Sequence, residues 1–398
     1  MLPSLDAIVY SSMGLLVLLI GSWVPDDRLN VSGLPIDLLI MIAAALLATT
    51  GKIRRATLRS IAIVQIPLLL LGITIFWSVE PELGLDKLTT LMVSGNLGFI
   101  LLNTVIEKHG EEQLAKLIAF YLGILLLVAI PYKIAFGFFE RSVNFFINGP
   151  IVFGRLMAIA ALLSLFVLDG KKRIFTIIIF CLAVVWTESK GPILSIALTL
   201  IGVALIYASP PTRKKFYWYS LTFLLAAAIL INSLQLSLSD LGRLGALFSV
   251  LTGDLGVIDQ YASQGSFGAR IAMWSMTIDL IPEVPFGIGL GAWDATVDTR
   301  LPTPHPHNLF LELWSEGGIL LGSFAIIPFF VFLAAPRRIF WFVALCLCLA
   351  QMLSGDIADA RFLMVFGFLS CFSRREGDGE LPNLTAGAGL SGLNVARP

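Results

Sequence analysis

Two histidines, placed two residues apart, are the strongest candidates for proton-transfer chemistry in this chain. The 398 residues include only three histidines, and His305 and His307 both lie in LPTPHPHN, directly before a long apolar run. An imidazole can accept and return a proton near neutral pH. The proline before each histidine stiffens the loop, and Asn308 is a favoured N-cap for a helix that begins at Leu309. This pattern predicts a well-placed base at the anion-favouring end of a helix.

Two other roles for the histidine pair stay open. Each imidazole fits an interfacial structural role, with its nitrogens hydrogen-bonded to the backbone. Zinc binding is the other role, but a third ligand at close spacing is missing, and Asp294 and Asp298 are the nearby candidates. We therefore expect no metal and no other cofactor.

Isolated cations that fall on the same predicted face are the second chemical signal. The planar fork of an arginine suits phosphate oxygens, and charge-assisted hydrogen bonds are stronger than neutral ones. One such cation fits a surface salt bridge or a lipid headgroup contact, whereas several around a histidine loop indicate an anionic substrate, a phosphate ester. The cations are Lys190, Arg243, Arg270 and Arg300.

Charged residues within apolar segments are the third signal. Arg155 lies five residues into the apolar run that begins at 151, where a charge is costly and usually faces a cavity or a partner. We expect it to line the substrate pocket. Glu312 and Glu316 lie one turn apart on a shared helix face, so they pair with the cations, or Glu312 orients a histidine. Glu312 is also expected to bind substrate, together with His305 and Asn308. The segment GDIADAR, 355–361, is predicted to be a solvated turn, with an acidic cluster as the alternative.

The elements that must position these residues are membrane helices. Hydrophobic residues make up 57% of the chain and charged residues only 14%, which excludes an ordinary soluble protein. A backbone in lipid satisfies its hydrogen bonds as a helix, and the apolar runs have roughly the length that crosses a bilayer. Twelve spans are predicted, at about 7–24, 36–50, 60–77, 88–106, 114–135, 151–168, 173–187, 191–208, 216–235, 309–334, 339–354 and 358–372.

Basic residues predict the orientation of these spans. With the N-terminus in the cytoplasm, most lysines and arginines fall in short cytoplasmic segments, in agreement with the positive-inside rule. Both termini are then cytoplasmic, and the histidine loop lies on the outer face. The acidic and basic residues number 27 each, so the charge gives no indication of nucleic-acid binding.

The fold class predicted from these features is an all-α polytopic membrane protein with one membrane domain, 1–372. A glycine-rich tail, 373–398, is expected to be disordered and cytoplasmic. One large outer loop, 236–308, precedes the tenth span. It contains a helix-like stretch from Phe267 to Leu280, followed by prolines and glycines that end a helix. Because this loop is too apolar for free water, we expect it to lie at the interface or against the bundle.

Several segments together resemble the O-antigen ligase superfamily, which includes O-antigen ligases, O-antigen and exopolysaccharide polymerases, and bacterial O-linked oligosaccharyltransferases. PHPHNLFLELWSEGGILLG resembles the superfamily's hallmark segment, and other stretches agree in order over about residues 70–330. These stretches are FWSVEPELGLDKL, NGPIVFGRLMA, ESKGPILS and GARIAMWSMTIDLIPEVPFGIGLGAW.

The resemblance implies a GT-C-like glycosyltransferase of the bacterial inner membrane with a periplasmic active site. Its donor would be a glycan on undecaprenyl diphosphate, and its acceptor a hydroxyl of lipid A–core or of another glycan. The superfamily's proposed histidine base matches His307, and its pyrophosphate-binding arginine matches Arg270. A second superfamily arginine falls on Lys190. This sequence thus departs from the superfamily pattern, because lysine keeps the positive charge but lacks the planar guanidinium. The expected reaction is metal-independent and, as a single displacement, inverting.

Two alternatives follow from the same residues. Lysine at position 190 weakens the case for a strict ligase and leaves a polymerase of the same superfamily open. A membrane transporter is the distant alternative, because twelve helices with both ends inside is a common transporter layout. Against transport, the sequence has no repeated half or matched pair of broken helices, and its polar residues gather at one face.

Overall fold

The structure is a computed structural model that describes most of the chain. The described residues are 3–20, 30–31, 34–51, 55–138, 143–146, 149–207, 266–297, 305–335 and 339–372. They form fourteen α-helices and one antiparallel pair of two-residue strands, β1 (Asn30–Val31) and β2 (Leu34–Pro35). The predicted all-helical class is therefore observed, with this small hairpin added.

The helices follow the apolar runs of the sequence. Three short segments continue or join them. A 3-10 helix, Ile73–Trp77, follows α3, a π-helix, Thr90–Ser94, joins α4 to α5, and a second 3-10 helix, Val331–Ala334, follows α12. The α-helices are α1 (Leu5–Ile20), α2 (Ile36–Thr50), α3 (Arg55–Gly72), α4 (Pro81–Thr89), α5 (Gly95–His109), α6 (Glu111–Phe136), α7 (Pro150–Val167), α8 (Gly170–Trp186), α9 (Lys190–Tyr207), α10 (Ser266–Glu283), α11 (Trp293–Thr296), α12 (Leu309–Phe330), α13 (Ile339–Ser354) and α14 (Arg361–Phe372).

Eleven of the twelve predicted spans coincide with helices, and the twelfth, 216–235, lies outside the described residues, as does the tail 373–398. Among the described residues, five helical segments are long and apolar enough to cross a membrane. The total of twelve spans stays a prediction. The five segments are Thr57–Trp77, Pro81–His109, Glu111–Phe136, Pro150–Val167 and Leu309–Ala334.

Large apolar side chains cover the outside of the bundle as well as its inside. Leu69, Leu127 and Leu182 are each more than half exposed, whereas Phe99 and Phe153 are completely buried. Many exposed leucines would be unfavourable in water, but they are the surface that a helix presents to lipid. The distribution of apolar side chains therefore supports a multi-pass membrane protein.

The long helix α12 is interrupted near its middle. Gly318 has φ 73° and ψ 173°, which is not helical. A glycine-rich turn, 284–291, follows α10 and docks at this break. The N–H of Ile288 donates to the carbonyl of Ser315 at 2.9 Å, and the N–H of Gly289 donates to the carbonyl of Glu316 at 3.0 Å. The turn thus supplies donors to carbonyls that the break leaves without helical partners.

The same turn also packs against the chain segment that leads into α4. A Cβ on Gly289, whose φ is +96°, would lie 2.5 Å from the Cα of Ser78. A Cβ on Gly291, whose φ is +87°, would lie 2.4 Å from the backbone nitrogen of Gly84. Only glycine combines this backbone conformation with such close approach. The turn is therefore wedged between α12 and the start of α4.

Helix α10 packs on the bundle beside α12. Its Met273 and Thr277 are buried, and the indole Nε1 of Trp293 in α11 donates to the Thr277 hydroxyl at 3.1 Å. The helix predicted within the outer loop is confirmed, and it lies against the bundle. The end of α10 is followed by the glycine-rich turn, which fixes this part of the loop to the membrane helices.

Candidate functional site

The histidine loop, residues 305–308, is held by three helices. Asn308 caps α12 as predicted: its Oδ1 accepts hydrogen bonds from two N–H groups of the first turn, at 3.0 and 3.2 Å. Its Nδ2 donates to the carbonyl of Met352 in α13 at 3.0 Å. The indole Nε1 of Trp274 in α10 donates to the carbonyl of Pro306 at 2.9 Å. These contacts leave the loop little freedom to move relative to the bundle.

His307 adopts an unusual backbone conformation within this loop. Its φ is +55°, in the left-handed region that residues other than glycine seldom occupy. Its ring meets the ring of His305 edge to face, with the centroids 4.5 Å apart. Among the described residues, no group hydrogen-bonds to its buried Nδ1. The surrounding contacts therefore hold the ring in place through its backbone and its neighbour.

The surroundings of the two imidazoles favour their neutral forms. Burial, together with the charges of His305 and Arg270, lowers the pKa of His307 from 6.5 to about 3. Burial also lowers the pKa of His305, although the carboxylate of Asp356 opposes the shift. The Asp356 Oδ2 lies 3.9 Å from the Nδ1 of His305. At neutral pH the loop thus presents an unprotonated imidazole close to a carboxylate.

Asp356 itself has a lowered pKa. Burial raises the pKa of this carboxyl, but the charge of His305 and a hydrogen bond from the N–H of Asp359 outweigh that effect. The Asp359 N–H donates to the Asp356 Oδ1 at 2.6 Å. Asp356 is therefore an ionised group that faces the histidine loop at neutral pH.

Two of the predicted phosphate-binding cations lie at this end of the bundle. Arg270 is one turn before Trp274 on α10, so it shares the face that holds the histidine loop. Lys190 is the exposed first residue of α9. The following Gly191 packs so closely on α13 that a Cβ there would lie 2.6 Å from the Ser354 hydroxyl. Arg243 and Arg300 lie outside the described residues, and their predicted roles stay predictions.

Arg155 links α7 to the turn between α13 and α14. Its Nη1 lies 2.9 Å from the Asp359 Oδ2, and its Nη2 donates to the carbonyl of Ser354 at 2.7 Å. The side chain is buried. Arg155 thus faces a partner within the bundle, and its predicted contact with the substrate stays a prediction.

The prediction of a solvated turn at GDIADAR is wrong. Arg361 is completely buried, and its Nη1 lies 3.6 Å from the Asp359 Oδ1. The Arg361 Nε also donates to the carbonyl of Leu18 in α1 at 2.9 Å. Because Asp359 lies between two arginines and Asp356 faces His305, this turn belongs to the same charged cluster as the histidine loop.

Lys87 is the functional candidate that the sequence analysis missed. Its Nζ lies 2.6 Å from the Oε1 of Glu312 and 3.0 Å from the Oε1 of Glu316, and all three side chains are buried. The shared face predicted for the two glutamates is confirmed, and their cation comes from α4. One signal was visible in the sequence: a lysine that directly precedes a predicted apolar span, which is costly unless the charge has a partner.

Both glutamates are committed to contacts within the bundle. The second oxygen of Glu312 accepts a hydrogen bond from the N–H of Ile357 at 3.0 Å, and that of Glu316 accepts one from the N–H of Gly291 at 2.9 Å. Glu312 therefore holds Lys87 and the turn that carries Asp356, and it does not contact a histidine directly in this arrangement. Its predicted contact with substrate stays a prediction.

The described cluster contains both basic and acidic side chains. The basic ones include Lys87, Arg155, Lys190, Arg270 and Arg361, and the acidic ones include Glu312, Glu316, Asp356 and Asp359. Among the described residues, no group of three histidine, cysteine, aspartate or glutamate side chains is arranged to hold a metal ion. Chemically, the cluster combines an unprotonated imidazole with nearby cations, which suits proton abstraction close to an anion.

Comparison with known proteins agrees with the resemblance found in the sequence. A family model described as O-antigen ligase matches residues 174–326. The match includes Lys190, Arg270 and His307, and it leaves Lys87 and Arg155 outside its bounds. No curated protein matches the chain.

Proposed function

We propose that this chain is a membrane glycosyltransferase that moves a glycan from undecaprenyl diphosphate to an acceptor hydroxyl at the periplasmic face of the bacterial inner membrane. O-antigen ligation to lipid A–core is the reaction we assign to it. The observation that carries the proposal is the convergence of Arg270 and His307, which places a cation within electrostatic reach of an unprotonated imidazole. The O-antigen ligase match over 174–326 supports the same class.

In this proposal the cations bind the diphosphate of the donor. Arg270 and Lys190, with Arg243 and Arg300 from the rest of the outer loop, stabilise the charge that grows on the diphosphate as the glycosidic bond breaks. Diphosphate is already a good leaving group, so the reaction needs charge stabilisation more than a protonated acid. Arg155 and His305 line the same pocket, and Asn308 positions the loop that presents the base.

His307 accepts the proton of the attacking hydroxyl. Burial and neighbouring positive charges disfavour the imidazolium and lower its pKa to about 3. A bound diphosphate brings negative charge next to the ring, which raises the pKa of His307 and makes it a stronger base when the donor is in place. The imidazolium then forms while the leaving diphosphate gains charge, so the two developing charges stabilise each other.

A single displacement at the anomeric carbon would invert its configuration, and the cations would replace a metal in the electrostatic role. The lipid carrier lies in the membrane and the acceptor arrives from the periplasm, so a helix end at the boundary is where the two can meet. Lys190 in place of the superfamily's second arginine keeps a positive charge for the diphosphate but loses the planar guanidinium, and it leaves a polymerase of the same superfamily as the alternative.

The test is His307→Asn, expressed in cells that lack the native gene, with the surface glycans separated on a gel. Asparagine tolerates the left-handed backbone conformation better than alanine does, so the variant removes the base and leaves the loop geometry. We expect normal protein levels, bare lipid A–core and glycan retained on the carrier. The control is His109→Asn, which alters the third histidine, located at the end of α5 beside Asp6.

Each other result has a defined meaning. If single repeat units still reach the core and long chains are lost, the chain is a polymerase. If the glycans of cells with His307→Asn match those with the wild-type protein at equal protein levels, the transfer mechanism proposed for His307 is wrong.

A further inference from the structure

In the buried group formed by Lys87, Glu312 and Glu316, called here the lysine–glutamate triad, each carboxylate oxygen accepts a hydrogen bond. Each carboxylate places one oxygen on the Lys87 ammonium, at 2.6 and 3.0 Å. The other oxygen of Glu312 accepts from the Ile357 N–H, and that of Glu316 accepts from the Gly291 N–H. The triad is thus bonded to two backbone N–H groups of other segments as well as within itself.

The triad places one cationic side chain and two acidic side chains in a buried place. An uncompensated buried charge is costly, and replacing the three residues with apolar ones would be a simpler way to stabilise a helix bundle. Stability alone is therefore a poor explanation for a charged triad here.

The triad connects the parts of the candidate site that come from distant segments. Lys87 belongs to α4, and Glu312 is in the first turn of α12, four residues after the Asn308 cap. Ile357 directly follows Asp356, the carboxylate that faces His305. Gly291 belongs to the turn wedged between α12 and α4. One ammonium thus sets the spacing between the helix that begins at the histidine loop, the acidic turn and the glycine-rich turn.

We propose that Lys87 is a positioning residue for glycan transfer, which holds the histidine loop and the acidic turn at the separation that the reaction requires. This inference rests on the proposed function. Because Lys87 is enclosed by the two glutamates, it acts through them and does not touch the donor. Its loss should therefore slow the transfer step and leave donor binding unchanged.

The decisive variant is Lys87→Met combined with Glu316→Gln. The single change Lys87→Met would leave two buried carboxylates without a cation and risks unfolding. The double variant removes one basic and one acidic side chain together, so the formal charge of the group does not change. The amide introduced at position 316 can donate to Glu312 and accept from the Gly291 N–H, so the hydrogen bonds are satisfied while the link to α4 is gone.

The assay uses the full-length protein reconstituted with lipid-linked glycan donor and lipid acceptor, and it measures kcat and the KM for the donor. We expect kcat to fall about 10- to 100-fold, the size of effect that a small misplacement of reacting groups produces, with the donor KM within about twofold of the wild-type value. Wild-type kcat in the folded double variant would overturn the proposal. So would an unchanged kcat with a raised KM, because that pattern indicates a binding role.

A matched control exists in Lys133→Met. Lys133 is the other buried lysine of the described residues, donates to the carbonyl of Val143 at 3.2 Å and lies over the Phe145 ring at 4.8 Å. It belongs to α6 and not to the triad, so kcat per folded molecule should stay within about twofold of wild type. An equal loss of kcat in this control would show a general effect of removing a buried lysine and would refute the positioning role.

Lys87→Arg keeps a cation between the glutamates and covers the case in which the double variant does not fold. Retention of kcat within about threefold supports the proposal, and a deep loss of kcat in folded protein contradicts it. The proposed function is tested separately in the same assay. Absence of transfer by the wild-type protein would reject the function itself, and full activity of His307→Asn would reject the role of His307 as base, whereas activity of the Lys87 double variant rejects only the positioning role.

Discussion

The low pKa of His307 gives a sharp prediction for the dependence of transfer on pH. A shift from 6.5 to about 3 corresponds to about 5 kcal/mol against protonation, at 1.36 kcal/mol per pKa unit. Burial is the largest cause. His305, Arg270 and Arg155 also lower the pKa, and the carboxylate of Asp356 opposes them. The free enzyme should therefore keep His307 unprotonated throughout the range in which ordinary histidines titrate.

The pH dependence expected for His307 differs clearly from that of an ordinary histidine. The neutral fraction of an unperturbed imidazole would fall about tenfold between pH 7.5 and pH 5.5. With the lowered pKa of His307, the neutral fraction stays above ~99% at both pH values. We therefore expect kcat/KM to change by less than about twofold over this interval, because kcat/KM reports groups of the free enzyme.

The assay is transfer by the reconstituted protein at limiting donor, measured from pH 5.5 to 7.5. Trp274→Ala is the informative perturbation, since it removes the indole that bonds to the Pro306 carbonyl and admits water to the loop. Hydration should raise the pKa of His307 towards 6.5, so kcat/KM should begin to fall at a higher pH than in the wild-type protein. If the wild-type protein itself loses activity about tenfold with a midpoint near 6.5, the reasoning that His307 is kept neutral by burial is refuted.

Two further predictions concern the contacts that build the site. Gly289→Ala should lower the free energy of unfolding by about 1–3 kcal/mol, because its φ is +96° and a Cβ would lie 2.5 Å from a backbone atom. Thermal denaturation in detergent measures this, and Gly202→Ala, where no atom lies within 4 Å of an added Cβ, should show no loss. Arg155→Met should destabilise the fold by about 3 kcal/mol or more. The carboxylate of Asp359 would lose its ion pair with Arg155 at 2.9 Å and keep the longer one with Arg361 at 3.6 Å. Adding Asp359→Asn should recover part of the lost free energy of unfolding. If the double variant instead loses the sum of the two single losses, Arg155 and Asp359 do not form a direct ion pair.

The sequence predicted the cap of the histidine loop because capping is a local interaction. Asn308 bonds to N–H groups two and three residues further along the chain, and such contacts follow from residue type and position alone. The helix positions were also predictable, since a bilayer imposes length and hydrophobicity on each span. The histidine pair and Arg270 were recognisable as candidates because charged and titratable residues are rare in this chain.

The environment of those candidates depends on packing between distant segments. Lys87 and Glu312 are 225 residues apart in the chain, and only the approach of α4 to α12 brings them together. The turn that carries Asp356 and Asp359 is polar in composition, so it was predicted to be solvated, yet two arginines from α7 and α14 cover it.

The amino-acid sequence by itself thus determined the membrane helices, the capped histidine loop and the cations available to it, because each depends on properties of a short segment. The tertiary structure decided which charges pair, how far His307 is removed from water and why the glycine-rich turn must lie in the break of α12. These features depend on burial and on distances between helix ends, which no local pattern of residues specifies.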